Sequence, residues 1–205
     1  MNIIIADKSH IIYADIICET IADSANVRGT GIAKRTPEYV IARMENGNAV
    51  IALDEKTFVG FCYIEKWDHG KFVANSGLIV HPDYRGRGLA KQIKKVVFEH
   101  SRTKFPEAKI FSITTGLAVM KLNSDLGYKP VTFSELTNDQ SFWKGCQTCK
   151  NYDVLQRTSQ SMCLCTGMLF DPNSKETKKR KQIKAKVFKR LKSIKQTLFL
   201  KKDRK

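Results

Sequence analysis

A glycine-rich loop between an apolar strand and an amphipathic helix has the clearest chemistry in this sequence. Gly86 and Gly88 come just before the helix, so the loop presents bare backbone N–H groups at the positive end of the helix dipole. Such a site suits a pyrophosphate. The whole stretch reads Gly77-Leu78-Ile79-Val80-His81-Pro82-Asp83-Tyr84-Arg85-Gly86-Arg87-Gly88-Leu89-Ala90.

The spacing Arg85-x-x-Gly88-x-Ala90 resembles the acyl-coenzyme A signature Q/R-x-x-G-x-G/A of the GNAT acyltransferase superfamily. It lacks the GxGxxG spacing and the later acidic residue of a Rossmann dinucleotide site. The resemblance implies an enzyme in which an amine attacks the thioester of acetyl-CoA or another acyl-CoA. The implied coenzyme-binding residues are Leu78, Ile79, Val80, Arg85, Gly86, Arg87, Gly88, Leu89, Ala90 and Asn123.

The catalytic residues that the resemblance would lead one to expect are missing. Many GNAT members carry a glutamate eleven residues before the signature, where this chain has Ala74. Many members also carry a tyrosine that acts as the general acid, four residues before the glycine that ends the next helix. That position is Asn123 here, which we expect to hydrogen-bond the coenzyme instead. The remaining candidates for proton removal are a water held by Asn75, Ser76 or Glu65, or the imidazole of His81.

A loop with two glycines and several cations lies between the first two predicted helices. Arg28, Lys34 and Arg35 are candidate substrate-binding residues there, because arginine binds carboxylates through a two-pronged hydrogen bond. Arg43 follows on the next helix. An amino-acid acceptor is the hypothesis, and solvated loop charges are the alternative.

Part of the sequence resembles, more narrowly, a bacterial GNAT subgroup associated with arginine biosynthesis. That resemblance implies N-acetylation or N-succinylation of glutamate. The residues that carry it are Thr114-Thr115, Met120-Lys121-Leu122-Asn123, Leu126-Gly127-Tyr128, Phe142-Trp143-Lys144-Gly145-Cys146 and Cys163-Leu164-Cys165.

Four cysteines fall in two close pairs, within a segment that we bound at 140–168. Cys146-x2-Cys149 and Cys163-x-Cys165 have the two-knuckle layout of a four-thiolate structural zinc site. Cys163 and Cys165 would also share one face of a strand and could simply pack there. Structural zinc, reduced and partly buried thiols, and a redox switch therefore all remain open.

The net charge of +16 is concentrated at the C-terminus. From Lys175 onward, 15 Lys and Arg residues stand against two Asp and Glu residues, and Ile183, Val187, Leu191, Ile194 and Leu198 form one helical stripe. We divide the chain into an acyltransferase domain (1–172) and a basic amphipathic tail (173–205). The tail could pack on protein, including a second subunit of a homodimer, or contact a membrane surface or RNA.

Two other functions remain open. The basic tail could localise a protein N-acetyltransferase, and the missing catalytic residues at Ala74 and Asn123 are compatible with a non-catalytic acyl-CoA sensor. No apolar run approaches the length of a membrane span and no signal peptide is evident, so a cytoplasmic protein is expected.

Hydrophobic periodicity predicts the order β-α-α-β-β-β-α-β-α-β from Met1 to about Glu135. This order predicts an α/β (α+β) fold of the GNAT type, a mixed and mostly antiparallel sheet flanked by helices. On the helix after the glycine loop we expect Leu89, Ile93, Val96, Val97 and His100 to share the inward face. Lys91, Lys94 and Lys95 should then face away.

Overall fold

The computed structural model describes residues 1–28 and 33–175, together with positions 177, 179, 186, 187 and 190. The chain divides into two compact units, Met1–Phe170 and Asp171–Lys205. In the second unit, the Thr177 hydroxyl donates to the backbone oxygen of Asp171 at 2.9 Å. The predicted apolar stripe of the tail lies, apart from Val187, outside the described residues.

Seven strands form one sheet in the order β1-β2-β3-β4-β5-β7-β6. Neighbouring strands are antiparallel except β4 and β5, which run parallel. The strands are β1 (Asn2–Ile5), β2 (Ala49–Asp54), β3 (Thr57–Trp67), β4 (Phe72–Val80), β5 (Lys109–Thr114), β6 (Lys129–Val131) and β7 (Thr166–Phe170).

Six α-helices surround this sheet in the described part of the chain: α1 (Ala14–Arg28), α2 (Pro37–Glu45), α3 (Leu89–Lys104), α4 (Leu117–Leu126), α5 (Gln140–Lys144) and α6 (Tyr152–Arg157). Helix α2 begins where the sequence predicts, because the Thr36 hydroxyl accepts from the Tyr39 amide at 3.3 Å and Pro37 occupies the first turn. Helix α4 ends at Gly127, whose φ of 98° is left-handed.

The two faces of the sheet bury different helices, because alternate residues of a strand point to opposite faces. On β2, Val50 and Ala52 belong to a core with α3, whereas Ala49 and Ile51 belong to a core with α1 and α2. A third core, around Phe111 and Trp143, covers the end of the sheet next to the cysteine segment. We call the two principal sides the α3 face and the α1/α2 face.

The mixed, mostly antiparallel α/β architecture confirms the predicted fold class. Strand β7 was not predicted from the sequence; it begins directly after Cys165 and inserts between β5 and β6. Within the described residues, no helix has the length and apolar character needed to cross a membrane.

One orientation on α3 is wrong in the sequence analysis. Lys94 does not face away but is 1% exposed, on the buried face with Ile93 and Val97. Lys91 and Lys95 are exposed as expected. The error has a simple cause: residue 94 lies four positions after Ala90 and three before Val97, so it shares their face of the helix despite its charge.

Candidate functional site

The site forms where β4 and β5 separate. The two strands pair only from Phe72 to Ala74 on β4 and from Lys109 to Phe111 on β5. Beyond that point the gap opens into a cavity of about 690 Å³, lined by β4, β5, the start of α4, the α1/α2 face and the cysteine segment. A ligand can therefore pass through the sheet without disrupting a strand ladder.

The glycine loop ends at the first turn of α3. Gly86 and Gly88 have φ values of 77° and 75°, in the left-handed region that glycine adopts without strain, and a Cβ at either would meet no atom within 4 Å. Gly88 caps α3 and has no side chain to satisfy the first amides, which have no partner within a helix. The open space and these amides fit the pyrophosphate of coenzyme A.

Not all of the backbone amides predicted to bind the pyrophosphate are free to donate a hydrogen bond to it. The Arg85 amide already donates to the backbone oxygen of Pro82 at 3.2 Å, so the donors available by geometry begin at Gly86. The Arg85 side chain donates to the oxygen of Val80 at 3.1 Å and to the Ser24 hydroxyl at 2.8 Å, which ties the end of β4 to α1. Arg85 thus positions the loop through its side chain.

Strand β4 carries a bulge beside the cavity. Tyr63 of β3 pairs with Ser76 and Phe61 pairs with Ile79, so Gly77 and Leu78 together lie opposite the single residue Cys62. Gly77 has a φ of 64°, and a Cβ there would collide with the Tyr63 ring. A bulge leaves backbone groups outside the regular ladder, where a bound carbonyl can use them.

The apolar residues predicted to lie beside the acyl group divide between the two faces. Leu78 and Val80 pack with the core of the α3 face, and Ile79 packs with the α1/α2 face. Leu78 and Ile79 line the cavity. Leu89 is buried beneath the loop and Ala90 packs against the same core, while the Arg87 guanidinium lies 5.2 Å from the centre of the Tyr84 ring.

Arg35 brings a cation into the cavity from the α1/α2 face. Its Nε donates to the Tyr63 hydroxyl at 2.6 Å, and its guanidinium lies 5.2 Å from the centre of the Tyr39 ring. Lys34 is exposed and does not line the cavity, although its amide donates to the Thr148 hydroxyl at 3.1 Å. Arg28 ends α1, and its side chain lies outside the described residues.

Glu65 is the one carboxylate among the described residues that line the cavity. It is 7% exposed, accepts a hydrogen bond from the Tyr39 hydroxyl, and lies 3.5 Å from the Arg43 guanidinium. Burial, and then the nearby Glu65 charge, raise the pKa of Tyr39 to about 12. Tyr39 therefore stays protonated at neutral pH and can only donate to Glu65.

The register of the sheet places Glu65 in an informative position. Glu65 on β3 lies directly opposite Ala74 on β4, the position at which many GNAT members carry a glutamate. The sequence analysis named Glu65 only as one of several candidates. The short turn at Asp68–Gly70 sets this pairing, and the bulge lies further along the two strands, beyond Tyr63 and Ser76.

The other proton-transfer candidates are placed unequally. Both ends of the Asn75 amide are engaged, donating to the Ser101 hydroxyl at 2.8 Å and accepting from the Tyr128 hydroxyl at 2.9 Å. Ser76 lines the cavity next to the bulge. His81 lies after β4 and outside the cavity lining, with Nδ1 3.7 Å from an Asp83 carboxylate oxygen.

Five side chains have a buried polar atom with no hydrogen-bond partner among the described residues: Trp67, His81, Lys94, Asn123 and Asn151. Two of them are buried as whole residues, Lys94, which lines the cavity, and Asn123, which does not. Asn123 on α4 is fully buried, and neither atom of its amide is paired. Lys94 on α3 lines the cavity, and its ammonium is likewise unpaired. Buried polar groups are normally satisfied, so these two are strong candidates for ligand contacts. Asn123 was expected from the sequence, and Lys94 was not.

The four cysteines of the second half converge on the cavity as free thiols. Burial and neighbouring thiols raise the pKa of Cys146 to about 11 and that of Cys165 to about 12. Within residues 1–28 and 33–175, no group of three or more Cys, His, Asp or Glu side chains is arranged to hold a metal ion, so the zinc hypothesis for Cys146, Cys149, Cys163 and Cys165 is not supported.

Comparison with known proteins agrees with this geometry. A model of the acetyltransferase (GNAT) family matches residues 19–119, which include most of α1, all of α2, β2–β5, the glycine loop and α3. The matched region, just under half of the chain, is a GNAT acetyltransferase domain. No curated protein sequence matches the chain.

Solved structures share the fold at low sequence identity. N-acetylglutamate synthase from Neisseria gonorrhoeae, complexed with coenzyme A and N-acetyl-glutamate, superposes with a TM-score of 0.59 at 12% identity over 84% of the enzyme. The enzyme spans only 35% of that chain. Rv2747 from Mycobacterium tuberculosis, solved with CoA, gives 0.58 at 13% identity over 83% of the enzyme and 99% of its own chain.

A third solved structure is yncA from Salmonella typhimurium with its cofactor acetyl-CoA. It gives a TM-score of 0.57 at 16% identity and covers 85% of the enzyme and 95% of its own chain. At identities this low, the superpositions show that these proteins share a fold and do not identify the acceptor. The acceptor must therefore be argued from the side chains of the cavity.

Proposed function

We propose that the enzyme transfers an acetyl group from acetyl-CoA to the amino group of an acidic amino acid, with glutamate as the leading acceptor. The observation that carries this proposal is the charge of the cavity. On the acceptor side, Arg35 and Arg43 line it as cations against the single carboxylate of Glu65 among the described lining residues, and Lys94 lines the same cavity from the α3 face. A small acceptor with more negative than positive charge complements that balance.

Arg35 is the proposed anchor for an acceptor carboxylate. The Tyr63 hydroxyl and the backbone oxygen of Lys34 hold its Nε and one terminal nitrogen, and the flanking ring of Tyr39 restricts its orientation. The other terminal nitrogen has no hydrogen-bond partner in the described part of the chain. A guanidinium held in this way binds a carboxylate with little loss of conformational freedom.

Glu65 is the proposed acceptor for the proton that the substrate ammonium must lose. Its carboxylate faces the cavity opposite Ala74 and is oriented by Tyr39 and Arg43. A bound water can connect it to the amine, as can Ser76, which lines the same cavity. Bound acetyl-CoA supplies an acyl group already activated as a thioester, so the remaining work of the chain is positioning and proton transfer.

The backbone of the glycine loop and the β4 bulge is the proposed holder of the acyl donor. The amides from Gly86 to Ala90 would bind the pyrophosphate, and Asn123 would hydrogen-bond the pantetheine arm. Acetyl is the proposed acyl group, and succinyl is the alternative that the same assay tests. The basic tail has no part in this proposal.

Product detection by mass spectrometry tests the proposal. Purified enzyme is incubated with acetyl-CoA or succinyl-CoA and with glutamate, aspartate, glutamine, lysine or glycine in separate reactions. We expect an N-acylated product with glutamate or aspartate at a rate at least about tenfold above that with glutamine, the neutral isostere of glutamate. Equal rates with glutamate and glutamine, or products from neutral or basic amines alone, would contradict an acidic acceptor.

A further inference from the structure

Lys94 is a buried cation for which the fold provides no counter-charge. It is 1% exposed, and its ammonium has no hydrogen-bond partner among the described residues. Burial lowers its pKa, and none of the described carboxylates forms a salt bridge with it. An unpaired buried ammonium is costly, so a ligand that supplies electron density to it would be bound favourably.

The immediate neighbours of the Lys94 ammonium are weak partners. The Tyr128 ring centre lies 5.4 Å away, and the thiol of Cys62 is the other titratable group near it. Burial raises the pKa of Cys62 to about 11 and that of Tyr128 well above its usual value, so both groups are neutral at physiological pH. Neither can balance the charge of Lys94 in the free enzyme.

The position of Lys94 relates it to the gap in the sheet. Cys62, next to the ammonium, lies opposite the β4 bulge and donates to the backbone oxygen of Ser76 at 3.3 Å. Pairing between β4 and β5 has ended at Ala74, so the passage through the sheet begins beside Ser76. Lys94 thus reaches this passage from the α3 face, whereas Arg35 and Glu65 reach the cavity from the α1/α2 face.

We propose that the Lys94 ammonium contacts the sulfur of the bound acyl-CoA and protonates it as it departs. This inference rests on the acyl-CoA site of the proposed function but not on the identity of the acceptor. The phosphates bind at the α3 N-terminus, and the acceptor amine attacks from the α1/α2 face. The reacting carbonyl carbon must then reach that face, and the sulfur, one bond behind it, remains on the side of Lys94.

The proton balance of this step is simple. The N–C bond to the neutral acceptor amine forms, the C–S bond breaks, and the bonding electron pair stays on sulfur, while the acceptor nitrogen releases an N–H proton to solvent as the amide forms. Lys94 donates one proton to that sulfur, becomes a neutral amine and regains a proton from solvent. The thioester sulfur is nearly neutral before reaction and negative as it leaves, so the contact is strongest in the transition state and accelerates the reaction.

The first test measures the thiol of bound coenzyme A, without any acceptor. The ultraviolet absorbance of the thiolate is titrated from pH 6 to 9 for wild type, Lys94→Met and Lys95→Met, each corrected with the matching ligand-free protein. A neighbouring cation lowers a thiol pKa. We expect a lowered pKa in wild type and Lys95→Met, whose substituted residue is exposed on the same helix, and a pKa at least about one unit higher in Lys94→Met.

A companion measurement compares binding of coenzyme A with binding of its desulfo analogue. At a pH at which the thiol is ionised, wild type should bind coenzyme A more tightly than the desulfo analogue. Lys94→Met should bind both ligands equally. Equal thiol pKa values in wild type and Lys94→Met would overturn the proposal, as would equal loss of both ligands in the variant. If wild type binds no coenzyme A, the donor site itself fails.

Folding provides an internal check on the variant. Methionine matches the length of lysine and removes an unpaired buried charge, so the melting temperature of Lys94→Met should rise by a few degrees. Turnover should nevertheless fall by about 10²-fold or more, with the KM for acyl-CoA little changed. A variant that melts lower than wild type and loses activity in proportion would indicate a structural role instead.

Discussion

The two halves of the cavity are built in different ways. On the coenzyme side, binding groups are backbone amides placed by Gly86, Gly88 and the first turn of α3, all within a few residues of one another. On the acceptor side, the charged groups come from α2, from β3 and from the loop before α2. That loop is in turn held by Thr148, 114 residues away from Lys34.

This difference explains what each half can do. A backbone site recognises a chemical group common to all acyl-CoA donors and tolerates side-chain change around it. A side-chain site depends on which residues the fold brings together, so it determines the acceptor. Substitutions on the two sides should therefore have separable effects, on coenzyme affinity and on acceptor KM.

Gly88→Glu should produce the largest effect. It adds a side chain at a left-handed φ and a negative charge at the N-terminal end of α3, where the pyrophosphate is proposed to bind. We expect coenzyme A affinity to fall by at least about 100-fold in calorimetry. Gly47→Glu is the matched control, because Gly47 has a φ of 58° and open space but follows α2, outside the cavity lining. Equal losses in both variants would refute a specific role for the loop.

Arg35→Met should affect the acceptor side alone. Removing the guanidinium leaves an acceptor carboxylate without its partner, so KM for the acidic acceptor should rise by about 30- to 100-fold, which corresponds to about 2–3 kcal/mol. Coenzyme A affinity should change less than about twofold. Arg157→Met removes an exposed arginine that pairs with Asp153 and should change neither quantity. A loss of coenzyme affinity in Arg35→Met would break the separation of the two halves.

Glu65→Gln should lower kcat more than KM. Glutamine keeps the shape and can still accept from Tyr39, but it cannot take a proton, so kcat at pH 7.5 should fall by about 10- to 100-fold. Tyr39→Phe removes only the orienting hydrogen bond and should cost a few-fold. Because the pKa of Tyr39 is raised to about 12, its ionisation should not contribute to the pH profile between pH 6 and 10. A wild-type kcat in Glu65→Gln would exclude Glu65 as the base.

The two halves also differ in how well the sequence predicts them. The glycine loop and α3 are local, and their positions in the chain could be predicted from consecutive residues. The contacts that gather Arg35, Tyr39 and Glu65 in one cavity join β3 to α2 and to the loop before it, and residue spacing does not show them. Strand β7 was missed because the residues around Cys163 and Cys165 were interpreted only as a cysteine cluster. Met168, Leu169 and Phe170 nevertheless form a short apolar run next to these cysteines, which is typical of a strand.

Lys94 shows a different limit of sequence analysis. Its spacing from Ala90 and Val97 already places it on the apolar face, but its charge was given more weight than its position. A charged residue inside an apolar stripe conflicts with the local pattern, and such conflicts are typical of functional sites. The departure from the expected pattern was therefore the signal that could have identified it.

Substitution in the cysteine segment should have the smallest effect, a change in melting temperature that is seen only at alkaline pH. Folding raises the pKa of Cys165 to about 12 and that of Cys146 to about 11, whereas an unfolded thiol ionises near 8.5. Stability from these thiols is therefore complete below about pH 8.5 and is lost as pH rises toward the folded pKa values. The melting temperature of wild type should fall between pH 8.5 and 10.5. That of Cys165→Ser should fall by about 1–3 °C less over the same range.

A chelator separates this explanation from metal binding. If the four thiols are reduced and metal-free, overnight treatment with a chelator should leave the melting temperature at pH 7.5 unchanged, and the purified enzyme should contain well under one zinc per chain. A substantial drop would mean that the thiols are ionised and bound to metal, since a coordinating thiol is deprotonated. The alkaline loss of stability would then be absent, because such thiols have no proton left to release.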